Sequence, residues 1–130
     1  MNIVARVTDY PQHGTVVHFS SFLCRRKIGK ATLFIYRTDT RLYAQLEDVK
    51  IVEEEQGKGY ATRLLRRMLA YLEAYADREQ QPIYLKFTSG PHREAANHLY
   101  EKVLAIPLVA RATDAEGGTN LYQKIIRPKI

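Results

Sequence analysis

The stretch from residue 51 to residue 62 reads Ile-Val-Glu-Glu-Glu-Gln-Gly-Lys-Gly-Tyr-Ala-Thr. An apolar strand runs into this stretch, Gly57 and Gly59 lie at its centre, and a long amphipathic pattern begins at Tyr60. At a strand-to-helix junction the first backbone N–H groups of the helix lack intrahelical partners, and the helix dipole is positive at that end. The stretch therefore predicts an anion site, and a pyrophosphate would fit it.

The residues of this junction suit an anion in two ways. Gly57 and Gly59 lack the Cβ atoms that would keep a bulky ligand away from the backbone. Gln56 and Lys58 carry side-chain donors that could reach the oxygens of the ligand.

The helix after the junction is predicted from its apolar spacing. Apolar residues recur on one helical face at Ala61, Leu64, Leu65, Met68, Leu69, Leu72, Tyr75 and Ala76. Arg63, Arg66 and Arg67 fall on the other face, which is typical of a solvated helix surface. The pattern fades over residues 77–81, and Pro82 forbids its continuation.

Strands are predicted on both sides of this helix. Before it, alternating or β-rich runs occupy residues 2–7, 16–26, 30–37 and 41–52, with Lys27-Ile28-Gly29 as the turn of a hairpin. After it come a strand over 83–88, a second helix from Pro91 to about Leu104, and strands over 106–113 and 119–126 around residues 114–118. A strand-helix-strand crossover makes its two strands parallel. The order predicts one α/β domain, residues 1–130, with a mixed, mostly antiparallel sheet, a βαβ crossover and a closing hairpin.

Composition narrows the class of protein. The chain has 130 residues, of which 45% are hydrophobic, and its longest apolar run is interrupted by Pro107. That run is far shorter than the roughly 20 residues of a membrane span. The N-terminus has no basic-then-apolar signal pattern, and the lone Cys24 cannot form an internal disulfide, so we expect a cytoplasmic protein.

The net charge of +6 attracts polyanions without distinguishing nucleic acid from a phosphate-rich cofactor. The densest basic cluster, residues 25–27 with Lys30, indicates either a solvated turn or a binding patch. Because no RNA-binding aromatic signature accompanies it, nucleic acid is not the favoured partner.

Other site classes lack their required residues. His13, His18, His92 and His98 show no metal-ligand spacing, so no metal site is expected, and Cys24 has no evident base partner. The third small residue of a dinucleotide fingerprint falls on Thr62 or Arg63, and Gly57-Lys58 is followed by Gly59 where a Walker loop needs Ser or Thr.

Two motifs resemble the GNAT superfamily of acyl-coenzyme A-dependent N-acyltransferases. Gln56-Gly57-Lys58-Gly59-Tyr60-Ala61 is similar to the pyrophosphate loop of that family, and Ala96-Asn97-His98-Leu99-Tyr100-Glu101-Lys102 is similar to its Ala-x-x-Leu-Tyr-Glu-Lys helix. The closing hairpin is the third similar feature, and the resemblance covers the chain from about residue 30 to the end. It implies acetyl-coenzyme A as acyl donor, an amine as acceptor, and direct transfer in a ternary complex.

The resemblance also implies roles for individual residues. Backbone groups of Val49, Lys50 and Ile51 would hold the pantetheine and the thioester oxygen. The loop would hold the pyrophosphate, through Gln56, Gly57, Lys58, Gly59, Tyr60, Ala61 and Thr62. Tyr100 would protonate the coenzyme A sulfur, because a phenol is a neutral donor at pH 7, although a packing tyrosine is the alternative.

A general base would remove protons from the acceptor amine. Glu47 shares the strand parity of Val49 and Ile51 and is the first candidate, with Asp48 second. Residues 53–55, all glutamates, are typical of a solvated turn at a helix N-terminus, and they could also meet a basic acceptor. Lys86 stands where some family members carry a carboxylate.

The chain also departs from the family pattern. Only Thr8 to Thr15 separates the first two strands, so the usual first two helices are missing. Arg93 stands where an Asn commonly binds the pantetheine arm, and Asn97 lies one turn from Tyr100. We expect Arg93 either to pair with Glu94 or Glu101 or to reach a cofactor phosphate.

The missing helices normally help to wall the acceptor site, so an open cleft is expected. Such a cleft suits a peptide or protein amine, or a site completed by the second subunit of a homodimer, and the sequence does not name the amine. The alternative is a catalytically silent acyl-coenzyme A-binding module that docks on a partner protein.

Overall fold

The computed structural model describes residues 1–113 and 117–129. Its elements are β1 (Asn2–Tyr10), β2 (Gly14–Leu23), β3 (Arg26–Arg37), β4 (Leu42–Ile51), a 3₁₀ turn (Glu53–Glu55), α1 (Tyr60–Glu79), β5 (Ile83–Ser89), α2 (Glu94–His98) with a π-helical turn (Leu99–Val103), β6 (Leu108–Ala112) and β7 (Thr119–Ile126). Residues 114–116, which are predicted to lie in the loop of the last hairpin, are outside the described part of the chain.

The seven strands form one sheet in the order β1-β2-β3-β4-β5-β7-β6. Every neighbouring pair is antiparallel except β4 and β5, which are parallel and are joined by α1. The predicted mixed sheet with a βαβ crossover and a C-terminal hairpin is therefore confirmed.

All the helical cover lies on one face of the sheet. The chain moves in one direction across the sheet from β4 to β5 and from β5 to β6, so right-handed crossovers place α1 and α2 on the same side. The buried face of α1 consists of Leu64, Leu65, Met68, Leu72 and Ala76. These side chains join the buried strand residues in a single core. Among the described residues the opposite face carries no helix, because only the turn over residues 11–13 joins β1 to β2. The prediction that the usual first two helices are missing is therefore confirmed.

The turn of the first long hairpin differs from the prediction. Cys24 and Arg25, with φ of 47° and 73°, form a two-residue turn, whereas Lys27-Ile28-Gly29 lies inside β3. Gly29 is buried opposite Ser21, where a Cβ would lie 2.6 Å from the Ser21 hydroxyl oxygen. Close packing, and not a turn, explains the glycine, and the predicted turn position is wrong by three residues.

A bulge in β4 overturns the predicted strand parity. Lys30 pairs with Lys50 and Thr32 pairs with Glu47, so Asp48 and Val49 together oppose one residue of β3. Asp48 has φ of 54°, the left-handed value that accommodates the extra residue. Glu47 therefore does not share a face with Ile51, because the bulge between them reverses the alternation.

The second helix begins later and ends differently than predicted. Pro91 lies in a turn in which the Arg93 N–H donates to the Gly90 carbonyl over 3.1 Å, and regular helix starts at Glu94. The Leu104 N–H donates to the Leu99 carbonyl over 2.9 Å, five residues back, which is the π-helical pattern. Tyr100 lies within this wide turn. β7 has the predicted bounds, β3 begins four residues earlier than predicted, and the other strand ends lie within three residues of the prediction.

Candidate functional site

An opening separates the ends of β4 and β5. The two strands pair from Leu42 with Ile83 to Gln45 with Lys86, and the described pairing stops there. β4 continues to Ile51 along β3, and β5 continues to Ser89 along β7. Beyond Gln45 and Lys86, the edges that the two strands turn towards each other therefore do not pair with each other. Val49, Lys50 and Ile51 lie on the β4 side of this opening, where the Ile51 carbonyl accepts a hydrogen bond from Gln56 Nε2.

The N-terminus of α1 follows directly from the β4 side of the opening. Gly59 is the residue before the helix, with φ of 85°, and neither a side-chain cap nor an acidic residue occupies the first turn. Across residues 1–113 and 117–129, no hydrogen bond is made by the backbone N–H groups of Gly59, Tyr60, Ala61 and Thr62. Unpaired donors at a positive helix end are the arrangement that binds an anion.

The two loop glycines face free space. Gly57 and Gly59 both have positive φ, and an added Cβ would meet no protein atom within 4 Å at either position. The backbone conformation requires glycine here, while packing within the protein does not. The protein therefore leaves space above the loop backbone, and the close approach of a ligand there stays a prediction.

The predicted side-chain donors of the loop already have partners in the protein. The Gln56 Nε2 group donates to the Ile51 carbonyl over 2.9 Å and so ties the loop to the end of β4. Lys58 Nζ lies 3.0 Å from Glu55 Oε2, and Arg26 Nη2 lies 2.8 Å from Glu55 Oε1. The hydrogen bond from Lys58 is the largest cause that lowers the pKa of Glu55. An anion on the loop would compete with Glu55 for the Lys58 ammonium.

Tyr100 lies against the β5 side of the opening. Its side chain is 3% exposed, and its ring meets Phe87 edge-on at 4.8 Å between centroids and Tyr122 at 5.4 Å. Phe87 is the first β5 residue beyond the pairing with β4. Burial raises the pKa of Tyr100, and the Arg93 guanidinium opposes that rise through its charge and as a hydrogen-bond donor. The hydroxyl is therefore a protonated donor at neutral pH.

Two buried polar groups near Tyr100 are unsatisfied. In the described part of the chain, Ser89 Oγ and Asn97 Oδ1 are buried without a hydrogen-bond partner. The Asn97 Nδ2 group donates to the Gly90 carbonyl over 3.0 Å, which fixes the amide. Buried acceptors without donors are costly unless a ligand or water satisfies them.

Arg93 forms neither of its two predicted ion pairs. Among the described residues, no salt bridge joins it to Glu94 or to Glu101. Glu101 instead accepts a hydrogen bond of 2.8 Å from the Tyr122 hydroxyl. The remaining expectation, that Arg93 reaches a cofactor phosphate, stays a prediction.

The candidate bases lie on the face that carries no helix, or at its edge. Glu47 is exposed, and its carboxylate accepts a hydrogen bond of 3.2 Å from Gln45 Nε2, beside the last β4–β5 pair. Asp48 is exposed within the bulge. Lys86 directly opposes Gln45, and its ammonium lies 5.0 Å from the centre of the Tyr43 ring. The structure thus brings Glu47 to the mouth of the opening, although by a route other than the predicted parity.

Sequence reasoning missed one part of this site. Tyr122 is fully buried and stacks on Phe87, and its hydroxyl bonds Glu101, 21 residues away along the chain. Burial and the Glu101 bond raise the pKa of Tyr122 to about 12. No local pattern marks such a long-range contact, so only the folded structure reveals it.

The rest of the described chain offers few alternative sites. Residues 1–113 and 117–129 contain no group of three His, Cys, Asp or Glu side chains placed to hold a metal ion. Within the same ranges, no helix is both long and apolar enough to cross a membrane. One recess lies at the β1–β2 turn, and another, of about 500 Å³, is lined by residues that include Arg41, Tyr84, Val109 and Ile125.

Known proteins share the sequence pattern and the fold of this chain. The sequence model of the acetyltransferase (GNAT) family matches residues 7–105. This match spans most of the 130 residues, so the chain belongs to the GNAT acetyltransferase family. No curated protein matches the sequence.

Solved structures share the fold at low sequence identity. A GNAT-family acetyltransferase from Streptococcus pneumoniae superposes with a TM-score of 0.72 at 18% identity, over 85% of this chain and 66% of its own. Arabidopsis thaliana Naa50, in complex with the bisubstrate analogue CoA-Ac-MVNAL, superposes with a TM-score of 0.69 at 10% identity, over 82% of this chain and 71% of its own. A GNAT-family putative acetyltransferase from Desulfovibrio desulfuricans superposes with a TM-score of 0.69 at 11% identity, over 96% of this chain and 99% of its own. The chain spans just under two thirds of the Streptococcus protein.

Proposed function

We propose that this protein is an N-acetyltransferase that moves an acetyl group from acetyl-coenzyme A to an amine, by direct transfer in a ternary complex. The observation that carries the proposal is the set of unpaired N–H groups from Gly59 to Thr62, placed beside the β4–β5 opening. Membership of the GNAT family supports it.

The residues present fit the donor molecule. The unpaired loop donors suit its pyrophosphate, and the edge of β4 from Val49 to Ile51, which does not pair with β5, suits the amides of its pantetheine arm. The buried acceptor Asn97 Oδ1 can take a donor from the same arm. Gln56, Lys58 and Arg93 complete the proposed set, and a metal is not part of it. Bound acetyl-coenzyme A supplies an acyl carbon whose bond to sulfur breaks as the carbon–nitrogen bond forms, and the sulfur takes up a proton.

The chain supplies the proton transfers. Tyr100 holds a proton on its hydroxyl oxygen at neutral pH, because burial raises the pKa of that group. We assign it as the acid. We assign Glu47 as the base that takes a proton from the acceptor amine, directly or through water, because it is ionisable and exposed at the mouth of the opening.

A second function is favoured by one observation. Tyr100 is 3% exposed and enclosed by Phe87 and Tyr122, which also suits a packing residue. A catalytically silent acyl-coenzyme A-binding module is therefore the alternative. Both functions agree with the cytoplasmic location expected from the sequence, which stays a prediction.

Turnover separates the two functions. The full chain is incubated with acetyl-coenzyme A and a panel of peptide, protein and small-molecule amines, while free thiol release and product mass are followed. Acetylated product with matching thiol release supports the enzyme. Binding of acetyl-coenzyme A by calorimetry without any product across the panel supports the silent module.

A further inference from the structure

The face of the sheet without helices carries a row of aromatic rings. Phe34, Tyr36, Tyr43 and Tyr84 lie side by side on β3, β4 and β5, with successive ring centroids 5.3, 5.4 and 5.9 Å apart. We call these four residues the tyrosine row. All four are half-buried although no helix covers them. The row ends beside Gln45 and Lys86, the last pair before the β4–β5 opening.

Cations surround the tyrosine row. The Arg41 guanidinium lies 4.5 Å from the Tyr84 ring centre, and the Lys86 ammonium lies 5.0 Å from Tyr43 and 6.0 Å from Tyr36. Strand register places Arg6, Lys30 and Lys50 on the same face. Among the described strand residues, register places one carboxylate there, that of Glu47. Five cations against one carboxylate make this face electropositive.

The ring geometry indicates which kind of polyanion fits. Phe34, Tyr36 and Tyr43 stack with interplanar angles of 25° and 20°, so their faces are turned towards one another and are not free for stacking by nucleic-acid bases. Within residues 1–113 and 117–129, the hydroxyls of Tyr36, Tyr43 and Tyr84 make no hydrogen bond and remain free for carboxylates and peptide groups. Tyrosine and arginine are the residues enriched where proteins bind proteins.

Two other occupants fit less well. A second copy of this chain would bring the same five cations against each other, and like charges in an interface are costly. A lipid surface favours bulky apolar side chains that form one continuous patch. The large hydrophobics exposed on this face lie in two groups at opposite edges of the sheet, Val4 and Tyr10 on β1 and Val109 and Ile125 on β6 and β7.

We propose that the tyrosine row docks an acidic polypeptide segment and that this segment carries the acceptor amine into the β4–β5 opening. The recess lined by Arg41, Tyr84, Val109 and Ile125 would receive the far end of the segment. The second half of this proposal rests on the acetyltransferase function proposed above, whereas docking itself does not. The acceptor class is then an amine-bearing protein or peptide with Asp or Glu residues near the amine.

Peptide binding to charge variants tests the docking. The double variant Arg41→Gln with Lys86→Gln removes two cations from the row. The double variant Arg66→Gln with Arg67→Gln removes two exposed cations from α1, on the helix-covered side, and serves as the charge-matched control. Fluorescence anisotropy is measured with two labelled peptides that have free α-amines and equal length, one rich in Asp and Glu and one in which these are Asn and Gln. Melting temperatures verify that both variants are folded.

We expect the acidic peptide to bind the parent and the α1 variant alike, and to bind the row variant about tenfold more weakly. Tyr43→Phe, which removes only a hydroxyl, should weaken binding by a smaller factor. Equal loss in both double variants, or equal binding of the two peptides, would overturn the proposal. Two further results would overturn it. One is sedimentation that shows a dimer for the parent and a monomer for the row variant. The other is binding to phosphatidylserine vesicles that depends on the row while neither peptide binds.

Acetylation separates this inference from the proposed function. If acetyl-coenzyme A fails to raise the melting temperature while the acidic peptide still binds through the row, the acetyltransferase proposal fails and docking stands. If acetyl-coenzyme A binds and both peptides are acetylated with equal kcat/KM, the enzyme stands and docking of the acceptor is refuted.

Discussion

At the residue scale, the bulge at Asp48 decides which faces of the sheet the β4 residues around it occupy. The positive φ of Asp48 accommodates one extra residue in β4 and reverses the alternation beyond Glu47. Ile51 therefore faces the core, while Glu47 faces the uncovered side of the sheet with Tyr43 and Gln45. The family resemblance indicated Tyr100 as a candidate, and the predicted strand parity with Val49 and Ile51 indicated Glu47. The alternation used to place Glu47 failed because a bulge leaves no mark in a polar stretch such as Glu47-Asp48.

Replacing Tyr100 tests its role as the acid. Tyr100→Phe removes the hydroxyl and keeps the ring between Phe87 and Tyr122. We expect kcat to fall about 100-fold, the range typical of a lost general acid, with the affinity for acetyl-coenzyme A unchanged. Steady-state kinetics and calorimetry measure both. Tyr75→Phe, on α1, is the control and should leave kcat unchanged; equal rates for Tyr100→Phe and the parent would remove the acid role.

Tyr122 predicts a pH dependence of stability. Its pKa rises from 10.0 to about 12 on folding, so between these values the unfolded chain ionises while the folded chain keeps its proton. The folded state then binds more protons than the unfolded state, and the free energy of unfolding falls as pH rises through this window. Urea denaturation at pH 9 to 12 should show this decline in the parent and a shallower one in Tyr122→Phe. Parallel declines would contradict the assignment.

At the scale of elements, the sequence predicted the strand-to-helix junction well. It predicted the turn between β2 and β3 and the ends of α2 less well. Apolar spacing gave the start of α1 at Tyr60 because a helical face repeats over many residues. The turn between β2 and β3 was predicted three residues too late, because Cys24 and Arg25 adopt positive φ without a glycine, while Gly29 allows close packing. The π-helical turn after His98 has no composition signal, so the late start and wide end of α2 were not foreseen.

The ion pairs of Glu55 in the loop before α1 predict that one substitution raises the affinity for acetyl-coenzyme A. Glu55 holds Lys58 and Arg26 through its carboxylate. In Glu55→Gln the ammonium of Lys58 is released and a negative charge leaves the anion site, so we expect acetyl-coenzyme A to bind about threefold to tenfold more tightly. Glu54→Gln changes the same charge at an exposed neighbour and should have a smaller effect. Calorimetry at two salt concentrations measures the affinity; weaker binding by Glu55→Gln would contradict this account.

Replacing Gly59 is expected to weaken the binding of acetyl-coenzyme A more than it weakens the fold. Gly59→Ala places a Cβ at φ of 85° in free space above the loop. The strain should lower the free energy of unfolding by about 1 kcal/mol, as expected for a left-handed residue that gains a side chain. The Cβ should also lower affinity for acetyl-coenzyme A about tenfold. Gly117→Ala, likewise at positive φ and in free space, controls for strain. Equal affinity in both variants would show that the loop does not contact the ligand.

At the scale of the whole molecule, the sheet has two dissimilar faces. The helices cover one face and close the core, and the other exposes the tyrosine row beside the opening. The fold class followed from the order of strand and helix patterns, because that order restricts the topology. The tyrosine row could not be predicted from that order, because its members belong to three strands and only the strand register brings them together.

The central claim is that the start of α1 holds the diphosphate of acetyl-coenzyme A, and amide hydrogen exchange tests it most directly. Exchange is measured residue by residue by NMR, with and without saturating acetyl-coenzyme A. The amides of Gly59, Tyr60, Ala61 and Thr62, which have no partner in the described chain, should exchange at least about tenfold more slowly with the ligand. Unchanged exchange at these four amides, with ligand shown to be bound elsewhere or not at all, would contradict the account.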